Sequence, residues 1–216
     1  MEEETIEVLQ GLYTAVVADV LDSLGYRNQC LGPSIMALTP NRTVCGQAFT
    51  ALAEPVSEIP EHPYKLEMAA IDHMQPGDVF VVDAGYDRNS AFWGELLSTA
   101  CLAKGVRGIV MSGCTRDLWA LEKMNFPVFG IGKTPADSKG RIDVTRLCEP
   151  VMIDGVMIAT GDYILGDADG VVAIPKAAAE DVLRLAAEKM SGENTVRDEL
   201  AAGASVQEVF AKHGIL

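Results

Sequence analysis

Asp78-Val-Phe-Val-Val-Asp83, Trp93-Gly-Glu-Leu-Leu97, Val106-Arg-Gly-Ile-Val-Met111 and Arg116-Asp117 form the stretch on which the reading of this chain turns. Two short runs rich in β-branched residues, separated by a helix-length segment, read as parallel strands joined by a crossover helix. Glu95 and the Arg116-Asp117 pair, with twenty residues between them, then fall just past strand ends. Loops at the carboxyl ends of parallel strands are where open α/β sheets bind small molecules.

The residue types suit a bound carboxylate, with an ion beside it that could polarise an adjacent carbonyl. Ser90 or Asn89 is placed to cap a helix beginning near Ala91, with Glu95, Leu96 and Leu97 in its first turns. Amides at a helix start lack internal partners and attract anions. The planar fork of Arg116 can hold a carboxylate at two points. Asp117 and Glu95 are hard oxygen donors, and one or two carboxylates with several waters is the usual way Mg²⁺ or Mn²⁺ is held. A plainer alternative stays open. Arg-Asp at a helix start is commonly a dipole-favoured carboxylate with a solvated neighbour, and Glu95 would then sit on an exposed face.

Gly77-Asp-Val-Phe-Val-Val-Asp83, Trp93-Gly-Glu-Leu-Leu97, Gly105-Val-Arg-Gly-Ile-Val110 and Arg116-Asp117 resemble the family containing the regulator of ribonuclease E activity A and the 4-hydroxy-4-methyl-2-oxoglutarate aldolases. The resemblance covers roughly residues 5 to 190. It implies an α/β, β/β/α fold like the swivelling phosphohistidine domains, with βαβ units, a small β-barrel portion and a C-terminal helical arm. It implies a metal-dependent lyase that cleaves 4-hydroxy-2-oxo acids to pyruvate and decarboxylates oxaloacetate. Asp117 would be the direct metal ligand, and Arg116 would bind the substrate's carboxylate and oxo group. The Gly94-Glu95-Leu96-Leu97 segment would hold the pyruvate carboxylate, with Glu95 orienting a metal-bound water. Many aldolase members have Asp where this chain has Glu95. Glu193 is the best match for a glutamate that reaches the metal's waters from a neighbouring subunit. Trimers or pairs of trimers are implied, with residues 1–190 as the main domain and 191–216 as an extension on a neighbour. The non-enzymatic alternative is an acidic ring that binds a ribonuclease or another basic protein, as the family's namesake does.

Composition bounds these readings. The chain has 216 residues, 49% hydrophobic and 22% charged, enough for one sizeable core. The net charge of −14 argues against a nucleic-acid surface, which needs clustered Lys and Arg. An acidic start and the lack of any long apolar run lead to the expectation of a cytoplasmic protein without membrane association. The odd, dispersed cysteines suggest neither disulfides nor a zinc site, and Cys114 reads as a small packed residue rather than a reactive thiol. The three histidines receive no catalytic role.

Elsewhere, periodicity predicts one amphipathic helix over 6–24 ending at Gly25, a strand over 46–54, and a loop over 54–65 that is a candidate substrate rim. A short helix over 66–74 precedes the strand at 78–83, followed by a helix over 91–104 and a strand over 106–111. A short helix over 117–124 and a strand over 127–131 come next. Gly130-Ile-Gly-Lys-Thr134 fails as a phosphate loop because Pro127 stands where glycine is required. Residues 150–174 read as hairpins, with Asp167-x-Asp-Gly170 as a turn rather than a calcium loop. A helix from Lys176 to about Met190 is expected to break at Ser191-Gly192 before helical spacing resumes.

Overall fold

The computed structural model describes residues 2–40 and 43–215. The chain opens with α1 (Glu2–Gln10), α2 (Thr14–Ser23), the short β1 (Met36–Ala37) and the long β2 (Val44–Pro55). Next come α3 (Lys65–His73), β3 (Asp78–Asp83), β4 (Ala91–Trp93), α4 (Glu95–Ala103), β5 (Gly108–Met111), β6 (Cys114–Thr115) and α5 (Leu118–Met124). β7 (Val128–Gly130), β8 (Gly132–Lys133) and β9 (Ile142–Leu147) follow, then two hairpins, β10 (Val151–Ile153) with β11 (Val156–Ile158) and β12 (Tyr163–Gly166) with β13 (Val171–Ile174). A single 3-10 turn leads into α6 (Ala179–Ala201) and α7 (Val206–His213).

The main sheet runs β1-β7-β5-β3-β2-β12-β13, with β9 also paired to β2. β2, β3, β5 and β7 are parallel, as the alternation of strands and helices predicts. β3 is apolar throughout its middle because both of its faces are covered. Phe80 and Val82 point into a core with Ala70, Ile71, Cys101 and Leu121 from α3, α4 and α5. Val79 and Val81 point the other way, against Val151, Ile153, Val156 and Ile158 of the β10–β11 hairpin. A third cluster seats α1, α2 and α6 on β12 and β13. The result is a mixed α/β structure with a nearly closed, barrel-like sheet and a C-terminal helical segment. No helix among the described residues is long and apolar enough to cross a membrane.

Four local expectations change. The 6–24 helix is two helices, because Tyr13 is extended (φ −120, ψ 155). The Thr14 N–H and hydroxyl donate to the Asp167 carboxylate at 2.8 and 2.7 Å, so a distant side chain supplies the start of α2. Ala91–Trp93 is a strand rather than the beginning of a helix, and Ser90 donates to Asp87 instead of capping. Its register against Cys114-Thr115 buries both aromatics, which outweighs local helical spacing. β5 and β7 are each followed by a further two-residue strand, β6 and β8, which join β4 in a second small parallel sheet, β4-β6-β8. Finally, α6 runs unbroken through Ser191-Gly192, so the expected 190/191 boundary falls inside a helix. Beyond Gly192 the helix continues to bury Val196, which favours its continuation over a break at a single glycine.

Gly46 in β2 allows no side chain, since a Cβ would sit 2.2 Å from the Gly77 carbonyl oxygen. Gly46→Ala should therefore destabilise the protein by about 1–3 kcal/mol, read as a Tm lowered by roughly 2–4 °C per kcal/mol in calorimetry. An unchanged Tm would contradict the packing described here.

Candidate active site

The small β4-β6-β8 sheet stands at the carboxyl end of the main parallel strands and aims three loops at one cleft. β4 ends in buried Trp93, whose ring packs 5.8 Å from Phe80 and 6.2 Å from Phe126, centroid to centroid. Its indole N–H donates to Ser98 Oγ at 2.7 Å, and that hydroxyl donates to the Gly94 carbonyl at 3.0 Å. The start of α4 is thereby tied to a rigid anchor. The Trp93 carbonyl accepts from the Arg116 N–H at 2.9 Å and from the Thr115 hydroxyl at 3.1 Å.

These ties bring together the sequence-predicted residues Gly94, Glu95, Leu96, Leu97, Arg116 and Asp117. All six line a cleft of about 300 Å³. Gly94 precedes α4, and the first intrahelical bond is Ser98 N–H to the Gly94 carbonyl, so the Leu96 and Leu97 amides lie in the unpaired first turn. Asp117 precedes α5 in the left-handed region (φ 61) and accepts from the Glu95 N–H at 3.3 Å. A Cβ on residue 94 would lie 2.7 Å from Asp117 Oδ2. Only glycine lets that carboxylate sit against the helix start. The Glu95 carboxylate accepts from Thr99 at 3.0 Å on the exposed side of α4.

Arg116 is not a free fork. Its Nε lies 3.7 Å from Asp117 Oδ2 and its Nη1 lies 3.3 Å from Asp137 Oδ1. Tyr64, at the end of the 54–65 loop, donates its hydroxyl to Asp137 at 2.8 Å. Burial, then the Asp137 hydrogen bond, pushes that phenol up to about 12. Tyr64, Asp137, Ser138 and Glu67 are cleft residues that the sequence reading missed. Two of them had a visible signal. Asp137 follows the third parallel strand as Glu95 and Asp117 follow the first two. Glu67 shares its stripe on α3 with the buried Ala70, Ile71 and Met74, at helical spacing of three and four, where a carboxylate is out of place.

Glu67 is 3% exposed, and its Oε1 has no hydrogen-bond partner. Burial, with Asp143 and Asp137 nearby, pushes its carboxyl up to about 8. Around the cleft, Glu95, Asp117 and Asp137 thus face a single guanidinium, with Glu67 held neutral near pH 7. An anionic oxo acid would be repelled by that balance unless a cation came with it. Among the described residues no three carboxylate, imidazole or thiol groups form a closed metal cage. The donor set fits an ion that keeps most of its waters, such as Mg²⁺ or Mn²⁺, rather than zinc.

Glu193 does not join this group within the chain. It accepts from the Tyr13 hydroxyl and lies 4.0 Å from Lys189. The cysteines are free, and burial pushes Cys45 and Cys101 up to about 12 and raises Cys114 as well, which fits packed, inert thiols.

A model of the RraA-like family, described as Aldolase/RraA, matches residues 14–173. A Halalkalibacterium halodurans protein, provisionally named 4-hydroxy-4-methyl-2-oxoglutarate aldolase, is 33% identical over 88% of this chain and 85% of its own length. An uncharacterised Pseudomonas syringae pv. tomato protein of known structure superposes with a TM-score of 0.85 at 26% identity, covering 96% of each chain. Streptomyces coelicolor RraAS2, described as an unusual member of the RNase ES inhibitor RraA family, superposes at 0.80 with 28% identity, over 90% of this chain and 96% of that one.

The raised Glu67 carboxyl has a thermodynamic signature. Its folded state binds the proton more tightly than the unfolded chain, whose ordinary value is 4.5. Native stability should therefore fall as pH rises from about 4.5 toward 8, by up to about 1.4 kcal/mol per pH unit from this one group. Glu67→Gln should match the native chain below pH 4.5 and exceed it in urea unfolding at pH 9. Equal stabilities at pH 9 would show that Glu67 is not buried as described.

Proposed function

Because this chain belongs to the RraA-like family of aldolases and RraA proteins, we propose that it is a divalent-metal-dependent lyase. Its substrates would be 4-hydroxy-2-oxo acids of the 4-hydroxy-4-methyl-2-oxoglutarate type, cleaved to pyruvate, with oxaloacetate decarboxylation at the same site. The observation that carries the reading is Arg116 set between Asp117 and Asp137, beside the open first turn of α4. That arrangement suits a pyruvate unit: amides for its carboxylate, a guanidinium for its carboxylate and oxo group, and a carboxylate to hold a cation next to both.

In this reading Asp117 would hold Mg²⁺ or Mn²⁺ directly, and Glu95 would orient one of the ion's waters. When bound, the ion supplies Lewis-acid polarisation of the oxo group. Gly94 leaves room for the Asp117 carboxylate beside the first turn of α4, and Leu96 and Leu97 would present their N–H groups to the substrate carboxylate. Binding shifts Arg116 from a partner of Asp137 to a partner of the substrate, and Tyr64 keeps Asp137 from following it. We further propose a homotrimer or a pair of trimers in which residues 191–216 pack on a neighbouring subunit and bring Glu193 toward its cleft.

A second reading is favoured by the likeness to RraAS2 and the net charge of −14. The chain would then be a non-enzymatic regulator that binds a ribonuclease or another basic protein, with salt-sensitive affinity and no need for Asp117.

Pyruvate release from 4-hydroxy-4-methyl-2-oxoglutarate and from oxaloacetate separates the two. The lyase reading expects Mg²⁺-dependent turnover that EDTA abolishes and that Asp117→Ala lowers at least about 100-fold. Gly94→Ala, which pushes on Asp117 Oδ2, should lower it about 10-fold or more. A folded, oligomeric chain that turns over neither substrate would exclude both activities, and ribonuclease capture unaffected by Asp117→Ala would support the regulator.

A further inference from the structure

Glu67 enters no step above, yet it lines the same cleft as Arg116 and Asp117. Its helix α3 packs against β9 and α4, and Glu67 is buried alongside Ala70 and Ile71 rather than turned out to water. Leaving a buried polar atom unpaired costs about 1–3 kcal/mol, so a protein that places one at a cleft wall needs a reason for it. The neighbouring polar groups do not supply a structural one. The Tyr64 hydroxyl is committed to Asp137, and Asp137 is committed to Arg116. The charges that act on Glu67 are Asp143 from β9 and Asp137 from the loop before it, both negative. Glu95 from α4, and Arg116 and Asp117 from the loop before α5, complete the charged groups lining the cleft.

Resting on the lyase reading, we propose that the Glu67 carboxylic acid is the proton donor of the cleft, delivering its proton to C3 of the enolate that cleavage leaves. The Glu67 O–H bond breaks and its electron pair stays on the carboxylate oxygen. The enolate C2=C3 pair forms the new C3–H bond, and the C2–O pair closes to the oxo group, giving pyruvate. With oxaloacetate, the C3–C4 pair becomes the enolate pair as CO₂ departs, and water restores the Glu67 proton. With a 4-hydroxy acid, the C4 hydroxyl proton goes to solvent as the C4 carbonyl forms, and solvent reprotonates Glu67. Burial that holds the group neutral at pH 7 is the condition such a donor requires.

The same transfer in reverse is exchange of the pyruvate methyl protons, which needs neither the distal half of a substrate nor carbon–carbon cleavage. It can be followed by proton NMR of pyruvate in D₂O with Mg²⁺ and the full chain. Exchange begins from the Glu67 carboxylate, so in the native protein it should rise as pH climbs toward about 8 and then level. Glu67→Gln, which keeps shape and loses the proton, should slow exchange at least about 100-fold, remove that pH limb, and leave pyruvate affinity within about threefold. Glu67→Asp, an acid one methylene short, should recover part of the rate. Native-rate exchange in Glu67→Gln would overturn the assignment and leave the lyase reading standing. Pyruvate that binds the native protein without exchanging would overturn both.

Discussion

A single carbonyl, that of Trp93, holds the candidate site together. It receives the Arg116 N–H and the Thr115 hydroxyl, so the loop that begins α5 is pinned to the residue just before α4. Trp93 can serve as the anchor because it is fully buried among Phe80 and Phe126 and its N–H is satisfied by Ser98. Gly94 follows at once, and its missing side chain is what admits the Asp117 carboxylate to the first turn of α4. Core packing, strand register and glycine placement converge on a contact between two short loops.

The electrostatics of the cleft follow from that convergence. Three loops past three parallel strands each contribute a carboxylate, while only one contributes a guanidinium. In water such an excess is easily screened, but in a partly enclosed cleft it creates a negative potential that attracts cations. Glu67 is the exception that stays neutral, because desolvation on the inner face of α3 outweighs its tendency to ionise. Two kinds of acid therefore occupy one cleft, separated chiefly by burial, to which the nearby charges of Asp143 and Asp137 add.

Much of this was legible before any coordinates. The β3 run was read to the residue, since a strand covered on both faces is apolar at successive positions. Gly94, Glu95, Leu96, Leu97, Arg116 and Asp117 were brought together as the spacing implied. The β4-β6-β8 sheet was not legible, because two- and three-residue strands are set by tertiary pairing rather than by periodicity. The α2 start was hidden for a similar reason: its carboxylate, Asp167, lies 153 positions away. Ser191-Gly192 misled in the opposite direction, because one glycine weakens a helix without ending it, and α6 continues past it to bury Val196. Asp137 and Glu67 were missed although both departed from pattern, one as a third loop acid and the other as an acid on an apolar stripe.

The account stands or falls on a cation held by Asp117. Titrating Mn²⁺ into the full chain while following the free-ion electron paramagnetic resonance signal tests this without any assumption about turnover. The native protein should remove about one Mn²⁺ per chain, and Asp117→Asn, with its circular dichroism unchanged, should bind at least about 10-fold more weakly. Equal Mn²⁺ affinity in the two proteins, or none in either, would contradict it.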